Sequence, residues 1–300
     1  MSLARQPLVV PFAKMDGAGN DFIVLDSRFL RFDRAELEAL ARRFCPRRTG
    51  VGADGLLALD PPAAGSDAHL RMRYHNADGS LGTMCGNGAR CLARFAVRGG
   101  LGEPQGGGAA LVRMDTDGGR YEAVVAPESA PGAGPVRLAV PDARGIGPLA
   151  LADPPPEAPA ELLQAWTGTE HVVAFVPELD AAPVATLGPA IRHDAALAPT
   201  GANVNFAEVV GGAGATARVR ARTFEKGVEA ETLACGTGAV AVALAARQTG
   251  RVAADRVEIA MPGGTLTVAW TMGADGPTAL TLEGPATLVY EGTLSWWGLE

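Results

Sequence analysis

The chain has almost no lysine. Of its 26 basic residues 24 are arginine, and Lys14 and Lys226 are the only lysines. Neither stands in a cofactor motif, which excludes a pyridoxal phosphate enzyme, whose chemistry needs a Schiff-base lysine. Cysteine is scarce too. Cys45, Cys85, Cys91 and Cys235 include no closely spaced pair, so a disulfide scaffold is excluded and a reducing, cytoplasmic compartment is expected. A metal site is excluded on the same ground, because Cys85 and Cys91 stand six apart and no histidine completes a zinc pattern. There is no apolar run of about 18 residues, hence no expected membrane span. Met1 to Phe12 carries one arginine and too short an apolar run for a signal peptide. Positive charge is not in excess. A net charge of −7 argues against nucleic acid or an acidic membrane surface as a partner.

What is present is an ordinary globular balance, 47% hydrophobic and 20% charged over 300 residues, about twice a typical domain. The chain repeats itself. Gly17-Ala18-Gly19-Asn20 leads into the apolar Phe22 to Leu25, and Gly168-Thr169-Glu170-His171 leads into Val172 to Val176. Alternating segments follow at Leu70 to Tyr74 and at Ala217 to Ala221, each reading as a strand with one buried face. Each then reaches a cysteine, in Met84-Cys85-Gly86-Asn87-Gly88-Ala89 and in Ala234-Cys235-Gly236-Thr237-Gly238-Ala239, 150 positions apart. Met114 with Gly118-Gly119 and Met261 with Gly263-Gly264 form a third echo. Two similar domains are therefore expected, one over 1–130 and one over 131–283, with the last strand, within 284–300, returning to the first. The segment Pro127 to Pro159 is rich in Pro, Gly and Ala and reads as a linker region with one strand, Val136 to Val140.

Helical patterns follow both cysteines. Ala89 to Ala96 places Leu92 and Phe95 on one face with Cys91 nearby, and Ala239 to Ala246 is apolar nearly throughout, as a buried central helix would be. Cys85 and Cys235 thus stand at helix starts, where Gly-rich steps leave backbone N–H groups to face a ligand. A helix N-terminus favours the thiolate. Two such thiols on opposite sides of one bound carboxylate would form an acid/base pair able to remove a proton from one face of a carbon and return one to the other. Cys91 reads as core packing and Cys45 as structural.

These motifs resemble those of the diaminopimelate epimerase family over nearly the whole chain. The resemblance rests on Lys14-Met15-Asp16-Gly17-Ala18-Gly19-Asn20-Asp21-Phe22, Gly50-Val51-Gly52-Ala53-Asp54-Gly55 and Asn76-Ala77-Asp78-Gly79-Ser80. It continues in the two cysteine segments, Ala202-Asn203-Val204-Asn205-Phe206 and Pro262-Gly263-Gly264. It implies an α/β (α+β) fold of two pseudo-symmetric barrel-like domains, each wrapping a central helix, with the active site in the interdomain cleft. It further implies a cofactor-independent isomerase. Cys85 and Cys235 would be its acid/base cysteines, Gly86, Asn87, Gly236 and Thr237 its donors to the α-carboxylate, and Asn20, Asn76 and Asn203 its substrate-binding amides. Glu225 and His171 would form a polar pair beside the reacting centre. Asp16, Asp54 and Asp78 read as loop-shaping residues.

The chain departs from the family pattern in three places. Gly168-Thr169-Glu170-His171 stands where the family has Gly-Asn-Pro-His, and Glu225-Lys226-Gly227 where it has Glu-Arg-Gly. The stretch Val228 to Glu231 is one residue longer than the commonest family form. Arg binds a carboxylate as a planar fork and Lys as a point charge, so Thr169 and Lys226 are expected to meet the substrate's far end differently. The leading expectation is conversion of LL-diaminopimelate to the meso form, with a small-molecule amino acid as partner and a homodimer as the assembly that the reading allows. The alternative is a racemase of the same fold acting on another amino acid such as histidine. A non-catalytic amino-acid binder is disfavoured by the intact cysteine pair.

Overall fold

The computed structural model describes residues 6–213, 215–274 and 276–299. Met1 to Arg5, the start of the segment tested as a signal peptide, lie outside the described residues. The chain forms two compact barrel-like units, one of Met1–Leu138 with Gly284–Glu300 and one of Ala139–Glu283.

In the first unit the strands Leu8–Gly17 and Asn20–Asp26 form a hairpin, with Gly17 opposite Asn20. Its loop is Ala18-Gly19, with φ of 66° and 89°. Two successive positive φ values suit the twist of the flanking strands. Asn20–Asp26 runs parallel to Gly55–Asp60, which pairs antiparallel with Leu70–Asn76. Next come Ala110–Thr116, parallel, then Gly119–Val125 and Ala133–Ala139, both antiparallel. The last strand, Gly276–Trp296, runs beside Leu8–Gly17 with Leu8 opposite Trp296. The Leu288 N–H donates to the Gly132 carbonyl at 2.9 Å, which brings that strand round to the other end of the sheet. Ile23, Val24, Leu56 and Leu57 have no exposure, as expected of strands covered on both faces. Helix α1, Arg34–Phe44, starts at a capping box of Asp33 and Glu36 and packs Leu37 and Leu40 on Ile23, Leu25 and Leu56. Helix α2, Gly86–Arg98, is buried from Asn87 to Arg94. Cys91 and Leu92 are buried and Phe95 is half-buried, and Arg90 and Arg94 are buried as well. A helix enclosed by strands has no solvent face, so its arginines bond to carbonyls inside.

The second unit repeats this order. Glu170–Phe175 runs parallel to Asn203–Ala213, which pairs antiparallel with Thr216–Glu225. That strand runs parallel to Arg256–Met261, followed by the antiparallel Gly264–Gly273. Helix α3, Val184–Arg192, packs Val184, Leu187 and Ile191 against Phe206 and Phe224. Helix α4, Gly236–Gln248, is buried from Gly238 to Ala246 and takes the place that α2 holds in the first unit. The parallel and antiparallel pairings recur in one sequence order, so the internal echoes are structural.

Two strand expectations are corrected. The linker region holds two strands, Ala133–Ala139 and Arg144–Leu149. Two glycines and Pro148 hide the second, which is held by Leu162–Trp166 across a register shift. The final strand, expected within 284–300, starts earlier, at Gly276, and extends over 21 residues. Among the described residues no helix is long and apolar enough to cross a membrane.

Candidate active site

Both cysteines occupy N-cap positions. Cys85 caps α2 in an extended conformation (φ −138°, ψ 116°), and its Sγ accepts from the Gly88 N–H at 3.5 Å. Cys235 caps α4 with φ −118° and ψ 109°, and its Sγ lies 3.5 Å from Thr237 Oγ1. The first intrahelical bonds run from Ala89 to the Cys85 carbonyl and from Ala239 to the Cys235 carbonyl. The N–H groups of Gly86 and Asn87, and of Gly236 and Thr237, lie ahead of these bonds, in the first turn of each helix. Neither first turn carries an acidic side chain, so the positive end of each helix acts on the thiol and on any anion placed there. Cys85 is half-buried and Cys235 is 6% exposed. The other two thiols differ. Burial pushes the Cys45 thiol up to about 12 and also raises that of Cys91, which fits inert core sulfurs.

In the first unit, α2 lies close to the first hairpin. A Cβ on Gly17 would fall 2.8 Å from the Asn87 carbonyl oxygen and 3.0 Å from Cys91 Sγ, so glycine is required for this approach. A line of hydrogen bonds follows. Arg90 Nη2 donates to Asn87 Oδ1 at 2.8 Å, and Asn87 Nδ2 donates to Asn20 Oδ1. Asn20 Nδ2 donates to Asp54 Oδ2 at 3.0 Å, and Arg47 Nη2 donates to Asp54 Oδ1 at 2.6 Å. Arg47 also grips Asp21, which Lys14 meets at 2.5 Å. Burial opposes charge on Asp21, but Arg47 and Lys14 outweigh it and hold the carboxyl down at about 2. Asn76 belongs to a different set, accepting from Tyr74 Oη at 2.7 Å and donating to Ser80 Oγ at 2.9 Å. Asp16 and Asp78 accept from the Gly19 and Ser80 N–H groups, as loop-shaping residues do. Asp54 does more than that, because it ends the Asn87–Asn20 line.

In the second unit, His171 is buried and burial lowers its pKa to about 3, so the imidazole is neutral. Asn205 Nδ2 gives one proton to the Val172 carbonyl at 2.9 Å and faces His171 Nδ1 at 3.1 Å, while Asn205 Oδ1 accepts from Thr223. Nε2, on the other side of the ring, lies 3.5 Å from Asn203 Nδ2. Asn203 Oδ1 accepts from the Lys226 N–H at 2.8 Å. Glu225 accepts from Thr232 Oγ1 at 2.7 Å. The departures from the family pattern meet one another. Lys226 Nζ lies 2.6 Å from Glu170 Oε2, and Thr169 Oγ1 donates to the same oxygen at 3.1 Å.

The structure thus gathers Asn20 and Asn87 in one unit, and Thr169, His171, Asn203 and Lys226 in the other. Arg90, Asp54, Asn205 and the pairing role of Glu170 were missed in the sequence. Two of them left signals: Arg90 follows Asn87 by three on a helix, and Asn205 follows Asn203 by two on a strand, so each shares its neighbour's face. Among the described residues no group of three or more His, Cys, Asp or Glu side chains is placed to hold a metal ion.

This fold of two α/β units is shared with solved structures of other proteins, an epimerase among them. A hydroxyproline epimerase from Agrobacterium vitis superposes with a TM-score of 0.68 at 18% identity, covering 98% of this chain and 93% of that one. A PhzF-family phenazine biosynthesis protein from Bacillus anthracis gives 0.70 at 15%, covering 96% and 99%. At such identities the likeness is one of fold alone. The family model for diaminopimelate epimerase matches residues 12–137 and 164–289. The chain belongs to the diaminopimelate epimerase family and is an isomerase. It is 41% identical to the diaminopimelate epimerase of Chlorobaculum tepidum over 94% of this chain and all of that protein. It is 36% identical to that of Methanocella arvoryzae, over 95% and 96%.

Proposed function

We propose that the chain epimerises LL-2,6-diaminopimelate to the meso form without a cofactor, using Cys85 and Cys235 as the acid/base pair. The observation that carries this reading is the repeated placement of the two thiols as N-caps of the two buried helices. One sulfur, as thiolate, takes the α-proton: a C–H bond breaks and an S–H bond forms. The electron pair moves onto the α-carboxylate, where N–H groups of Gly86, Asn87, Gly236 and Thr237 stabilise it. The other thiol gives its proton to the opposite face of the carbon, and the roles exchange in reverse. Neutral His171, with Glu225, would orient the reacting amino acid, while Asn20, Asn76 and Asn203 bind it and Thr169 and Lys226 meet its far end. The product would feed lysine and cell-wall precursor synthesis, and the enzyme would act in the cytoplasm.

The names carried by relatives matched over whole chains support diaminopimelate as substrate and do not favour histidine. The test is a panel of amino acids in deuterated water, scored for α-proton exchange. Exchange confined to diaminopimelate is expected. Exchange with histidine and none with diaminopimelate would overturn the assignment.

A further inference from the structure

Asn20 and Asn87 each carry an amide that could point either way, with oxygen and nitrogen exchanged. Their neighbours remove that freedom. Arg90, wholly buried in α2, can only donate, and its Nη2 bonds to both Asn87 Oδ1 and, at 3.3 Å, the Gly17 carbonyl. Asp54 can only accept, and its Oδ2 takes the Asn20 amide proton. Between a donor-only end and an acceptor-only end the line has one direction. Asn87 must turn its oxygen to Arg90 and its nitrogen to Asn20, and Asn20 must turn its nitrogen to Asp54.

We propose that Arg90 and Asp54 are positioning residues that fix the direction of the Asn87–Asn20 hydrogen bond, so that Asn20 presents an N–H donor, not a carbonyl lone pair, to a substrate carboxylate. The inference rests on the reading of Asn20 as a substrate-binding residue. An amide nitrogen carries two protons, and Asn20 gives one of them to Asp54. A carboxylate set against the same arm meets the second. Were the amide reversed, it would meet a lone pair and be repelled.

Either end alone suffices to set the direction, which gives the idea a specific signature. Arg90→Gln and Asp54→Asn each replace a one-way group by one that both donates and accepts. Each single variant should change the KM for diaminopimelate by less than about threefold, because the opposite end still pins the line. Arg90→Gln combined with Asp54→Asn should raise KM by at least about tenfold, the loss of one hydrogen bond to a charged group, with kcat little altered. Arg90→Lys combined with Asp54→Asn should stay near the wild type, since lysine also only donates. A double-mutant cycle in which the two substitutions simply multiply, or a lysine variant as impaired as the glutamine one, would overturn the proposal.

A readout independent of activity covers the case in which a variant does not fold or the wild type does not turn over diaminopimelate. The wild-type side-chain amides of Asn20 and Asn87 should each give a single slowly exchanging pair of 15N–1H resonances. Two populations for either amide would refute the fixed direction, whereas an inactive wild type with single pairs would refute only the substrate assignment.

Discussion

Glu170 and Lys226 form an ion pair with their charged atoms 2.6 Å apart. Each supplies the other's partner. The hydrogen bond from Lys226 holds the Glu170 carboxyl below its ordinary range, and Thr169 adds a second donor. Lys226 is therefore engaged by Glu170, and in the reaction proposed above a substrate carboxylate would have to compete with that pairing.

Opposite effects are expected from the two partners. Lys226→Ala should raise the KM for diaminopimelate, whereas Glu170→Gln should lower it by releasing the ammonium. Both side chains are partly exposed, so the stability change in Glu170→Gln should stay below about 1 kcal/mol. Steady-state kinetics with thermal unfolding measures both. An unchanged KM in each variant would remove this pair from the substrate's path.

Cys85→Ala and Cys235→Ala should each stop epimerisation in a folded protein, while Cys45→Ala and Cys91→Ala should keep most of it. The latter two thiols are buried, and burial raises their pKa. Deuterium exchange at the α-carbon reports the outcome, and loss of exchange in folded Cys91→Ala would reverse the assignment of roles.

Acid should weaken the second unit through His171. Its folded pKa is depressed to about 3 by burial, below the ordinary 6.5. The unfolded chain thus gains a proton that the folded one refuses. This contribution is complete above about pH 6.5 and is lost as pH falls toward 3. Unfolding midpoints measured across that window should fall more steeply for the wild type than for His171→Gln. Equal slopes would mean that the imidazole is not held neutral.

Gly17→Ala should be destabilising by roughly 1–3 kcal/mol, because the new methyl would meet the Asn87 carbonyl oxygen and Cys91 Sγ at 2.8 and 3.0 Å. A shift of the hairpin away from α2 should also disturb Asn20 and raise KM. Denaturant titration checks the first effect, and an unchanged midpoint would show that the helix can yield.

The sequence by itself determined the duplication, the strands that follow each Gly turn and the two helices that start at Cys85 and Cys235. These are local properties: apolar period, glycine at turns and polar-to-apolar transitions are written in consecutive residues. The burial of Arg90 and Arg94 escaped it, since a charged residue on a helix reads as solvated until strands are known to enclose the helix. Only the tertiary structure decided which polar groups meet. Asn87 and Asn20 are 67 positions apart, Asn20 and Asp54 are 34 apart, and Lys226 and Glu170 are 56 apart. Strand pairing and the seating of α2 bring these distant residues together, and a register shift of one residue would turn each strand side chain to the opposite face. The line of hydrogen bonds through Asn20 and the pairing of Lys226 with Glu170 follow from that placement.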